Sequence, residues 1–115
     1  MPRFFFCLIS IALLAQDTGD LSQALSPYRQ RIDNIDGQIM KLLNERAMVV
    51  RDVGIVKKRF GAPASAPGRE EEVLRRVSSQ ARAPLTPADA QTIYKVILAA
   101  MASMEQREMH RTPGP

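Results

Sequence analysis

The chain has 115 residues with 16 Lys and Arg against 12 Asp and Glu, a formal charge of +4, and only 5% aromatic residues with no Trp. One small domain fits this length, and the Ala, Leu, Arg, Glu and Gln of its middle favour helix over strand, so no sheet is expected. The positive residues are scattered among acids such as Asp33, Asp36, Glu45 and Asp52 rather than massed, which argues against a nucleic-acid footprint and suits a buried anionic ligand better.

The first segment reads as an export signal. Arg3 precedes an apolar run from Phe4 to Ala15, followed by polar Gln16-Asp17-Thr18-Gly19-Asp20. A run of this length is short of the roughly 20 residues of a membrane span, and Ala15 offers a small residue for cleavage, although Leu13 departs from the small-x-small pattern. The expected organisation is a signal peptide over 1–15, a linker over 16–26, a helical domain over 27–110 and a tail over 111–115, in a periplasmic or secreted protein with no stable membrane association after processing. An N-terminal core helix is the other reading of the apolar run. Cys7 is the single cysteine; it sits too early for a lipid-attachment box, and its removal with the leader would exclude disulfides and thiolate-bound metal from the mature chain.

The next element is a long helix. Ile32, Ile35, Ile39, Leu42, Arg46, Val49, Val53 and Val56 follow a 3-4-3-4 spacing, the seam of a coiled-coil-like rod. Ser26-Pro27 suits its start and Phe60-Gly61 its end, giving about 33 residues and about 50 Å. Gly61 to Gly68 is a loop of small residues and breakers. A short helix is expected from about Arg69 to Arg82, with Val73, Leu74 and Val77 inward and Glu70, Glu71 and Glu72 in its first turn. Thr86-Pro87-Ala88-Asp89 then opens a third helix, whose inner face carries Ala90, Ile93, Ile97, Met101 and Met104. A seam along the whole first helix has no cover within so small a chain, which predicts an intertwined antiparallel helical homodimer of three-helix chains.

Arg46 is the informative residue, because it occupies a seam position otherwise held by Ile, Leu or Val, and a buried guanidinium needs an anion. Lys57 follows 11 residues later, about three turns, so both project within about 20° of each other into one interior. A buried salt bridge for Arg46 and a solvated head for Lys57 remain the plainer alternatives. Arg29 is rotated by about 100° from that face and would point to a different chain. Arg69 and Glu70 start the short helix, where free backbone N–H groups also bind oxygen, or simply decorate a solvated turn.

Arg29-x-x-Ile32-x-x-x-Asp36, Leu42-Leu43-x-Glu45-Arg46, Val53-Gly54-x-x-Lys57, Arg69-Glu70 and Ile93-Tyr94-x-x-Ile97, in this order and spacing, resemble the all-α chorismate mutases. The resemblance implies an all-α fold and the conversion of chorismate to prephenate in aromatic amino-acid biosynthesis, without cofactor, metal or covalent intermediate. It implies that Arg46, and Arg29 from a partner subunit, hold the substrate carboxylates and that Lys57 contacts a carboxylate and the ether oxygen. The resemblance also implies that Glu70 takes the ring hydroxyl and that Arg69 is a further arginine of the pocket. Two positions depart from the family's frequent Ser and Gln: Met101, which can donate no hydrogen bond, and Glu105, which donates only when protonated. A one-residue shift would place Ala102 and Gln106 there instead, and Ala66 replaces an acid common in the pocket loop. An isochorismate-pyruvate lyase on the same fold and a non-catalytic helical adaptor are the competing functional readings.

Overall fold

The computed structural model describes residues 5–111, with side chains described from Gly19 onward. Three helices follow in order, α1 (Phe5–Arg59), α2 (Pro67–Gln80) and α3 (Pro87–Arg111), with no strand among the described residues. The all-α, three-helix expectation holds. The signal-peptide assignment, with Cys7 and Ala15, falls outside the residues whose side chains are described.

The start of the long helix needs correction over residues 16–26. α1 runs through this segment, with Pro27 inside it rather than at its first turn. Pro27 removes one bond, the one its N–H would have donated to the Gln23 carbonyl, and its ring crowds that carbonyl. Leu21, Gln23, Ala24 and Leu25 are good helix formers, and their preference outweighs the lost bond here.

The described residues form two compact units, one up to Leu42 and one from Leu43. In the first, Ile32, Ile35, Ile39 and Leu42 of the seam are all exposed, with Leu42 at 62%. The second contains the end of α1 together with α2 and α3. Here α1 stops in a helix-ending motif of two reversed hydrogen bonds. Gly61 N–H donates to Lys58 O at 3.2 Å and Ala62 N–H to Lys57 O at 2.9 Å. Gly61 stands between them at φ +67°, a left-handed conformation that glycine adopts without steric cost.

α2 begins two residues earlier than the sequence reading, with Pro67 in its first turn. Val73 and Val77 are buried, as expected, and Leu74 is half-buried. α3 starts as the sequence predicts: Thr86 N–H donates to Asp89 Oδ2 at 3.1 Å and Asp89 N–H to Thr86 Oγ1 at 3.0 Å, a reciprocal capping box. The backbone hydrogen bond from Thr86, then the one involving its side chain, hold the Asp89 carboxyl below the usual carboxylate range. Ala90 is buried, while Ile97, Met101 and Met104 are half-buried; Ile93, expected to face inward, is exposed.

Candidate functional site

The second unit contains a cavity of about 330 Å³, at the small end of the range for small-molecule sites. The end of α1 contributes Arg46, Val49, Val50, Val53 and Lys57, the loop contributes Ala64 and Ala66, α2 contributes Arg69, Glu70 and Arg76, and α3 contributes Leu98, Met101, Ala102 and Glu105. Six of the seven residues singled out from sequence therefore meet at one cavity. Arg29, the seventh, belongs to the first unit and is exposed.

Glu105 is the polar residue held furthest from water among the described residues, 5% exposed. Lys57 reaches it across from α1, with Nζ 2.9 Å from Oε1. The same ammonium donates to the Ala64 carbonyl at 2.8 Å. Oε1 is buried and has the ammonium as its ion-pair partner, but it receives no well-aligned hydrogen bond; the aligned bond of Lys57 is the one to Ala64. Lys57 is thus not a solvated head on an apolar stem. It ties the loop to α3 at the cavity wall.

Arg46 is half-buried and lines the cavity. Among the described residues it makes no ion pair, so the plain salt-bridge reading of this seam arginine is not realised. Arg69 pairs with Glu72 at 3.2 Å on the exposed side of α2. Glu70 is half-buried and has no such partner among the described residues. On α3 the register is set by Glu105: it lines the cavity, whereas Gln106 is exposed, so the one-residue shift does not bring Gln106 to the site.

Two polar contributors were missed from sequence. Arg76 lies seven residues after Arg69, two turns along the same face of α2, and that spacing could have found it. The Ala64 carbonyl had no signal, since a backbone acceptor in a loop becomes visible only once the loop is folded.

The charges define what the cavity accepts. Arg46, Lys57, Arg69 and Arg76 face Glu70 and Glu105, an excess of two positive charges against apolar walls from Val49, Val50, Val53 and Leu98. A small dianion with an apolar body matches this arrangement, because cations in a partly dry cavity act on anions far more strongly than they do in water.

Comparison with known proteins gives the same direction. Residues 28–106 match the family described as chorismate mutase type II. The chain is 33% identical over 97 residues to a bifunctional chorismate mutase/prephenate dehydratase of Aquifex aeolicus, covering 81% of this chain and 27% of that one. It is 36% identical over 55 residues to a chorismate mutase of Methanocaldococcus jannaschii, covering 48% and 56% respectively. A 3-dehydroquinate dehydratase of Pyrobaculum aerophilum is 42% identical over 65 residues, 56% of this chain and 22% of that one. The chain thus spans about a quarter to about half of the length of these relatives.

Proposed function

The chain belongs to the chorismate mutase type II family, and from that premise we propose that it converts chorismate to prephenate in the cavity between the end of α1, α2 and α3. The observation that carries this reading is the excess of two positive charges around an apolar cavity of about 330 Å³, which complements a cyclic dicarboxylate. In the reaction the C–O bond of the enolpyruvyl ether breaks as a C–C bond forms to the ring, and no proton, electron or group leaves the molecule. The protein's task is then to hold a compact chair-like pose and to place positive charge beside the ether oxygen as it gains negative charge. In this reading Arg46 takes a carboxylate, Lys57 a carboxylate and the ether oxygen, and Glu70 the ring hydroxyl, while Arg69 and Arg76, which also line the cavity, add positive charge on the α2 side. A protonated Glu105 would donate to the ether oxygen from beside Lys57.

The active assembly in this reading is a homodimer. Val73, Val77 and Ala90 are the buried apolar side chains among the described residues, whereas the α1 seam stands in water; so small a core is marginal for a chain of this length. Arg29, which belongs to the first unit, would serve a partner's cavity. Export is proposed on the apolar run from Phe4 to Ala15. A mature N-terminus near residue 16 in a secreting bacterium would support it, and an uncleaved product beginning at Met1 or Pro2 would overturn it.

The deciding experiment incubates the chain, with and without residues 1–15, separately with chorismate and with isochorismate. Prephenate from chorismate supports the mutase. Pyruvate and salicylate released only from isochorismate would assign the lyase reaction, and an intact dimer inert toward both would leave the adaptor reading standing.

A further inference from the structure

Gly54 is buried on α1, three residues before Lys57, and what it lacks is what the site uses. A Cβ at this position would stand 3.1 Å from Glu105 Cγ, 3.1 Å from Met109 Cγ and 3.7 Å from Glu105 Oε1. Carbon atoms in comfortable contact sit about 3.5–4.0 Å apart, so the bare backbone allows α3 to approach closely at these two residues. Gly54 lies in the interior of a regular helix, where glycine is intrinsically less favourable than alanine. Space, not backbone torsion, is its contribution.

The next turn of α1 grips the same two residues. Lys57 pairs with the Glu105 carboxylate at 2.9 Å, and Lys58 Nζ donates to the Met109 carbonyl at 2.8 Å. Glu105 therefore lies on a bare floor at Gly54 with a cation closing over its end, and Met109 is anchored one turn further along α3. We infer that Gly54 is a positioning residue for the Glu105 carboxyl: the Gly54-x-x-Lys57 spacing supplies floor and clamp from one helix face, and a side chain at 54 displaces the carboxyl from the cavity wall. The effect on turnover rests on the proposed mutase reading. The effect on the carboxyl itself does not.

The test uses the full chain carrying Gly54→Ala, alone and combined with Glu105→Ala, with two readouts. The first is kcat/KM for chorismate. Gly54→Ala should lower it about tenfold in the wild-type background, a displacement well below that of a 1 Å misplacement, and less than about twofold when Glu105→Ala has already removed the Cγ it would meet. The second is the carboxyl carbon resonance of Glu105 in protein labelled at glutamate, identified by its loss in Glu105→Gln. Lys57 faces this carboxyl from α1, and Arg46, Arg69, Arg76 and Glu70 share its cavity. Gly54→Ala should move that resonance while leaving those of exposed glutamates such as Glu71 unmoved.

Equal loss in both backgrounds, or an unmoved Glu105 resonance, overturns the inference. A wild-type chain without mutase activity sinks the functional reading, and the resonance then decides the role of Gly54 alone. Where Gly54→Ala fails to fold, Gly54→Ala with Met109→Ala, which deletes one of the two 3.1 Å contacts, carries the same comparison. Failure of every Gly54→Ala combination to fold makes the glycine a packing requirement of the domain and also overturns the inference.

Discussion

Lys57 and Glu105 are ion-paired at 2.9 Å with the carboxylate side chain almost wholly buried. The pair spans two helices and stands in the cavity wall, so a dianionic substrate meets a lysine whose charge is already partly matched. An ionised Glu105 competes with that substrate for the ammonium; a protonated one releases it and gains a hydrogen to donate.

Glu105→Gln should raise kcat/KM for chorismate, because an uncharged amide leaves the Lys57 ammonium free for the substrate and donates a hydrogen bond itself. The measurement is kcat/KM of both chains at one pH. An unchanged or lower value in Glu105→Gln removes Glu105 as the competitor for that ammonium and as the donor to the ether oxygen.

Arg46→Ala should lose roughly 30- to 1000-fold in kcat/KM, the loss of about 2–4 kcal/mol for a charged contact with the reacting anion. The fold should survive, since Arg46 is half-buried and makes no ion pair among the described residues. Near-normal turnover with an unchanged helical circular dichroism spectrum would reject Arg46 as a substrate ligand.

Mixing an inactive Arg29→Ala chain with an inactive Arg46→Ala chain should restore activity, with about one intact site per mixed dimer, because one protomer would supply the wild-type Arg46 and its partner the wild-type Arg29. Refolding the two together and assaying against each alone gives the answer. No recovery, although mixed dimers form, would place Arg29 outside the partner's site.

Asp89 makes a separate prediction about stability. Its folded carboxyl is held below the ordinary value by Thr86, so the stabilisation it brings is fully present above about pH 3.9 and is lost as pH falls through the lower, folded value. Asp89→Asn should therefore melt a few degrees below wild type at neutral pH, with the gap closing in acid. A gap that persists undiminished at low pH would mean that the charge of Asp89 contributes nothing to the start of α3.

Much of the site was legible because helical spacing alone fixes direction. Arg46 and Lys57 share a face by periodicity, Thr86 and Asp89 form their cap through bonds three residues apart, and the Ile93-Tyr94 register carries Glu105 inward. What was not legible depends on contacts between elements. The partner of Lys57 is set by how close α1 and α3 come, which turns on the missing Cβ of Gly54. Ile93 fits an inward helical pattern yet is exposed, because periodicity specifies a face and not what covers it. The start of α1 was misplaced because Pro27 was given a first-turn role, while the helix formers before it carry the helix through.

The exposed apolar row of α1 has a further consequence, in mass action. If Ile32, Ile35, Ile39, Leu42, Val49, Val53 and Val56 leave water only on self-association, folding and association are one equilibrium, and the midpoint of unfolding rises with protein concentration. Dilution then acts as a denaturant. At low protein concentration, the quantity that governs how long the fold lasts would be the rate at which two subunits part, so the seam would set the lifetime of the protein as well as its architecture.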